Sequence, residues 1–380
     1  MVKNVTLKNQ LQLQHSKIKL QINRLPRKPR NAHENISESG SIFVRLNEFP
    51  RKSNYRMIAV FTILALLIVS SVALYIFSRT YAHSIRLGIP MTPLAFERIM
   101  SRTIPAIIGM TAAGVIIAIV SLAFQTITQS RLLTPSMIGF DSVFIGTQTI
   151  LVFAFGSFTP FFTSPIRNFL VTSGVMVVIS MFMFGTILRR NKNNIIFLLM
   201  FGIVLSGIVS NGARYLQSFM SFYDFYHVQA ATAVTVMNMN TDVINIAWPI
   251  ISVVAVLIVM RHKTYDVMSL GSEQAQGLGV SYNRELNYTL ILISVGMSVA
   301  TAMIGSLAFL GLLVVNASRE LIKTHKHLPL FICSAGVAVV TLVLGSAVEQ
   351  LLQGAIPLTT IINLVGCAYV FYLIWKENRI

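Results

Sequence analysis

The stretch Met57–Ile76, MIAVFTILALLIVSSVALYI, contains no charged side chain. A helix rises 1.5 Å per residue, so about 20 apolar residues cross the hydrocarbon core of a bilayer. Within that core every backbone N–H and C=O must be satisfied internally, which leaves helices and closed barrels as the spanning structures. A barrel needs short alternating segments, and the apolar runs here are long and continuous. The chain therefore reads as an all-α polytopic membrane protein. Its hydropathy predicts ten spans: Met57–Phe77, Ile104–Ile127, Ser136–Phe155, Asn168–Leu188, Ile195–Ser210, Val243–Met260, Leu286–Ile304, Phe309–Leu321, Leu328–Leu344 and Ile356–Trp375. The eighth is short for a full crossing and is expected to tilt or to re-enter. The first long apolar run starts only near Met57, which argues against a secretory signal.

An even number of spans puts both ends on one side. Beyond residue 56 there are 18 Lys/Arg. With both ends in the cytoplasm, twelve of them face inward and six, namely Arg79, Arg86, Arg98, Arg102, Arg167 and Arg214, face outward. That bias agrees with the positive-inside rule and predicts cytoplasmic termini in a bacterial cell membrane. Four of the outer six crowd into Ser78–Thr103, a local excess that asks for a reason. The segment 1–56 carries twelve Lys/Arg against three Asp/Glu in a chain of net charge +17. It reads as a basic, disordered cytoplasmic tail ahead of a permease domain at 57–380, with a lipid-binding arm or a plain solvated tail both open. Nucleic acid is a poor partner for a chain this apolar. Cys333 and Cys367 lie in apolar runs and read as small buried hydrophobes, with no metal or disulfide spacing.

The polar stretch LGSEQAQGLGV, Leu270–Val280, falls in the longest inner connection, Arg261–Glu285. Ser272–Gln276 holds no helix breaker, and Gly271, Gly277 and Gly279 permit sharp turns at its ends. The pattern predicts a short helix along the inner membrane surface, suited to docking a cytoplasmic partner.

Chemistry-bearing motifs are scarce. GxxxxGK[ST], HExxH, GxSxG and CxxC do not occur, so no catalytic, cofactor or metal role is expected. His325 and His327 flank Lys326 at the start of a span, where interface charge is the ordinary reading. Asp141 and Glu349 are the notable ionisable groups within spans. Asp141 reads either as a helix cap or as the wall of a water-filled path. Ion-driven carriers usually hold mid-span carboxylates, and their sparseness here favours a conduit moved by something else.

Three ordered motifs resemble one family. RTIPAIIGMTAAGVIIAIVSLAFQTITQSRLLTPSMIG, Arg102–Gly139, is similar to the signature of FecCD-type iron-chelate permeases, membrane subunits of ATP-binding cassette importers, at Arg102, Gly109, Gly114, Gln125, Thr126, Leu132, Pro135 and Gly139. LGSEQAQGLGV is similar to L-G-x-x-x-A-x-x-L-G-V, and GSLAFLGLLVVNASRE, Gly305–Glu320, to G-x-I-x-F-x-G-L-x-x-P-H-x-x-R, with Val315 and Asn316 where that pattern has Pro-His. The resemblance runs from about Met57 to the C-terminus.

The resemblance implies a type II importer architecture like that of the cobalamin importer. It makes Leu270, Gly271, Glu273, Ala275, Leu278 and Gly279 a coupling helix seated on a cytoplasmic ATPase dimer. It implies an extracytoplasmic siderophore-binding protein docked through outer Arg–carboxylate pairs, for which Arg98 and Arg102 are the candidates, and a second permease as partner. The variant GFDS at Gly139–Ser142, followed by Val143 and Phe144 in place of a small pair, resembles the subgroup for catecholate or mixed siderophores. Ser136, Asp141, Ser142, Thr147 and Gln148 are candidate path liners, with ordinary helix contacts as the competing reading. Two other functions stay open: an ion-gradient-driven secondary transporter for a small organic solute, and a structural or receptor membrane protein.

Overall fold

The computed structural model describes residues 55, 57–81, 92–157, 164–190, 195–234 and 239–377. Apart from Tyr55, the basic tail lies outside the described residues, as does Arg86. The helices are α1 (Met57–Tyr81), α2 (Pro93–Ile127), α3 (Phe140–Phe155), α4 (Pro165–Arg190), α5 (Ile195–Gln217), α6 (Phe222–Thr232), α7 (Thr241–Met260), α8 (His262–Met268), α9 (Ser272–Gly277), α10 (Tyr282–Ile304), α11 (Leu310–Ile322), α12 (His327–Leu351) and α13 (Leu358–Glu377). A 3-10 turn, Pro135–Ile138, leads into α3.

Each of the ten predicted segments falls on a helix. Among the described residues seven helices are long and apolar enough to cross a membrane, and α3 and α13 are shorter apolar helices. The eighth segment is α11, only 13 residues long. The second begins eleven residues earlier than its hydropathy suggested. The Thr92 hydroxyl accepts from the Ala95 N–H at 3.2 Å, and Pro93 fits the first turn, so α2 starts there. Glu97, Arg98 and Arg102 hide those first turns from a hydropathy count. Helix α6 was not anticipated. Its Ser221 cap accepts from the Asp224 N–H, and its exposed aromatic side chains disguised it as loop.

Helix α2 is the centre of the bundle, packed on α7, α10, α11 and α12. Small residues set the close approaches, as is usual where helices meet in lipid. A Cβ on Gly114 would stand 3.1 Å from Leu342 of α12, and one on Gly296 of α10 would stand 2.9 Å from Val120. Helix α3 is fastened to α5 by hydroxyls. Ser142 meets Ser206 at 2.5 Å and accepts from Ser210 at 2.9 Å. Gly139 takes φ +110 between the 3-10 turn and α3, a left-handed conformation that suits glycine.

Candidate functional site

The inner connection builds outward from α7. Arg261 ends α7 and forms an ion pair with Glu285 of α10. Helix α8 follows, then a turn at Ser269–Gly271. Gly271 has φ +104 and ψ 162, a region open essentially to glycine alone. Helix α9 ends in a Schellman motif: Val280 N–H donates to Ala275 O at 3.0 Å, Gly279 N–H to Gln276 O at 3.0 Å, and Gly279 has φ +87. Two glycines thus hold a short, well-terminated helix between α8 and α10, on both of which it packs.

The motif residues divide by face. Leu270 is 52% exposed and Leu278 65%, and Glu273, Gln274 and Gln276 are exposed beside them. Ala275 is not on that face. It is fully buried, a small residue on the inward side of α9. The exposed face of α9 is thus polar and edged by two exposed leucines.

The connection is tied to three spans, α2, α10 and α12. Arg261 lies 4.3 Å over the Tyr288 ring of α10. The buried Tyr265 hydroxyl meets Thr289 Oγ1 at 3.1 Å, and burial pushes its pKa up to about 12. Tyr282 OH donates to Ile127 O at 3.3 Å, and Gln129 Nε2 donates to Met268 O at 2.9 Å. Asp266 of α8 accepts from the His327 ring at 2.6 Å, and the other ring nitrogen meets Thr126 Oγ1 at 2.8 Å. His327 is only 4% exposed, so it is no interface charge. The sequence offered little warning of this cluster, since Asp266 and His327 are 61 positions apart and no motif joins them.

A cavity of about 670 Å³ opens beside these ties, lined by Gln125, Arg131, Asn316, Arg319, Lys323 and His325 among others. Asn316, standing where the resembled pattern has histidine, donates Nδ2–H to Arg131 O at 2.9 Å and so closes the loop after α2 onto α11.

Of the path candidates, Ser136 sits in the 3-10 turn and Asp141 in the first turn of α3. Ser142, Thr147 and Gln148 follow on α3, all buried. Gln148 Nε2 donates to Asn168 Oδ1 and Thr172 Oγ1 of α4, both at 3.0 Å. Two of the five therefore stitch α3 to α4 and α5. Asp141 Oδ1 is buried without a hydrogen-bond partner among the described residues. Arg98 and Arg102 lie one turn apart near the start of α2, both exposed.

Residues 56–376 match the model of the FecCD transport family. The chain belongs to the FecCD transport family. Among relatives of this FecCD protein, the petrobactin import system permease protein YclO of Bacillus subtilis (strain 168) is 35% identical over 281 residues, covering 74% of this chain and 89% of the relative. The petrobactin import system permease protein FatC of Bacillus anthracis is 31% identical over 297 residues, covering 78% and 80%. A solved metal-chelate type ABC transporter in an inward-facing conformation has a TM-score of 0.67 at 21% identity, covering 84% of this chain and 99% of that one. That likeness establishes the fold of the FecCD chain as the one used by an ABC transporter permease. Seven long apolar helices among the described residues, together with bacterial permease relatives, make it a multi-pass protein of the bacterial cytoplasmic membrane.

Proposed function

We propose that this chain is the permease subunit of an ATP-binding cassette importer for a ferric siderophore, with petrobactin the first candidate. A cytoplasmic ATPase dimer would drive it and an extracytoplasmic binding protein would feed it. The observation that carries the reading is α9, a terminated helix whose exposed face is edged by Leu270 and Leu278 and which packs on α8 and α10. Relatives named for petrobactin import support the substrate. A second permease is supported by α5, which exposes Gly207, Asn211 and Gly212 beside Val204 and Ile208. An amide facing lipid is expensive, and a partner chain would cover it. ATP hydrolysis would reside on the ATPase, leaving this chain to form and reorient the path.

The test is affinity purification of the tagged chain from iron-starved cells, followed by uptake of iron-loaded petrobactin in reconstituted vesicles. A stoichiometric ATPase and ATP-dependent uptake are expected, and Glu273→Lys with Leu278→Arg should release the ATPase. Asp141, with its unpartnered oxygen, favours one other reading, an ion-driven carrier. Uptake that is abolished by ionophores and indifferent to ATP would establish that carrier instead.

A further inference from the structure

Helix α9 packs on α8 and α10, whereas α2 and α12 pack on each other along the centre of the bundle. Several ties join α8 and α10 to α2 and α12, and one of them is a continuous hydrogen-bonded chain from α8 through α12 to α2. Asp266, in the middle of α8, accepts at the same oxygen from the His327 backbone N–H at 2.7 Å and from ring Nδ1 at 2.6 Å. An ionised carboxylate can only accept, so Nδ1 carries the proton. Nε2 meets Thr126 Oγ1 at 2.8 Å in the last turn of α2. Either proton arrangement at that contact leaves both ring nitrogens engaged.

His327 opens α12, and the preceding Lys326 gives that helix no side-chain cap. A helix start leaves four N–H groups without internal partners. Asp266 satisfies one of them from a different helix. The start of α12 is therefore capped by α8 and reaches through its first side chain to the end of α2. A parallel tie comes from Gln129, which donates to both Met268 O and Thr126 O. Tyr265 and Phe331, with ring centroids about 6 Å from that of His327 and from each other, pack against the imidazole. Apolar packing lets helices slide past one another, whereas short charge-assisted bonds are directional and resist shear.

We propose that Asp266, His327 and Thr126 form a transmission latch, three positioning residues that make α2 and α12 travel with α8 when α9 is pushed. The inference rests on the importer reading, in which a cytoplasmic ATPase delivers the push.

The test uses the reconstituted complex purified through this chain. Spin labels go on Lys263→Cys, exposed on α8, and Leu352→Cys, at the far end of α12, with Cys367→Ser removing the exposed native thiol. The distance distribution is read with and without ATP plus vanadate. With the latch intact the two labels travel together and the distribution holds. In Asp266→Asn and His327→Gln, α8 moves without α12 and the distribution shifts or broadens. Thr126→Val keeps the side-chain shape and loses the hydroxyl, so it should behave like them, while Thr126→Ser should restore the intact result. Losing the latch should also lower the substrate transported per ATP. A distribution that shifts in the intact latch, or holds in all three disrupting variants, overturns the proposal. Failure of any ATPase to copurify with the unaltered chain overturns the importer reading, and the latch with it.

Discussion

Arg261 stacks its guanidinium 4.3 Å over the ring of Tyr288 while pairing with Glu285, three residues earlier on the same helix. A planar fork can serve an acid and a ring at once, and an ammonium cannot. Arg261→Lys should therefore cost about 1 kcal/mol. Arg261→Ala should cost about 2 kcal/mol, because it leaves the largely buried Glu285 unpaired. Thermal unfolding of the detergent-purified protein, followed by tryptophan fluorescence, gives the ranking. Equal midpoints for the lysine and arginine forms would remove the stacking from the account.

Tyr265 is neutral in the folded protein, and burial raises its pKa to about 12. A group raised in this way contributes stability in full below the free phenol value of about 10. That stability is lost as pH climbs through about 12. Absorbance of phenolate should show a late-titrating tyrosine that disappears in Tyr265→Phe. That variant should also unfold more easily by about 1 kcal/mol, having lost its bond to Thr289.

The hydroxyls of Ser157 and Ser221 donate to Asp224 and hold its carboxyl below the usual range. A depressed acid contributes stability above its unfolded value, about 3.9, and loses it as pH falls through the lower folded value. Amide exchange over 222–232 should therefore stay slow at pH 5 and quicken in stronger acid. Asp224→Asn should exchange faster at pH 5 already. An acid-insensitive helix in the unaltered chain would contradict this.

If the proposed binding protein docks through these side chains, Arg98→Glu combined with Arg102→Glu should weaken that docking, most strongly at low salt, where charge on an exposed surface is least screened. Pull-down across a salt series measures it. Unchanged docking at low ionic strength would leave the two arginines as membrane-interface anchors.

Two glycines should fail for different reasons. Gly296→Ala forces a methyl to within 2.9 Å of Val120 and 3.1 Å of Ile116, so overpacking should cost about 1–3 kcal/mol. A side chain at Gly271 meets open space, yet φ +104 with ψ 162 makes Gly271→Ala a backbone strain of about 1–3 kcal/mol. The first should lower the melting temperature of the whole protein. The second should show as local exchange around α9.

Reading the residues in order found whatever depends on order alone. Ten apolar runs became ten helices, and two glycines around SEQAQ became the ends of α9. Hydropathy lost the first turns of α2, because Glu97, Arg98 and Arg102 belong to the watery end of a span. It lost α6, whose apolar side chains lie on its exposed surface. The burial of Ala275 and the pairing of His327 with Asp266 are three-dimensional facts with no periodicity behind them. The Gln-Thr pair at 125–126 was recognised only as part of a motif. The bond from Thr126 to His327 gives that threonine a contact that its neighbours in sequence could not suggest.

The capping of α12 by Asp266 has a bearing on modularity. A chimera that exchanged residues 261–281 between two such permeases would carry the carboxylate but leave behind the histidine and threonine it was fitted to. The smallest transplantable piece is discontinuous, comprising the inner connection together with Thr126 and His327, and its borders are drawn by hydrogen bonds rather than by adjacency along the chain.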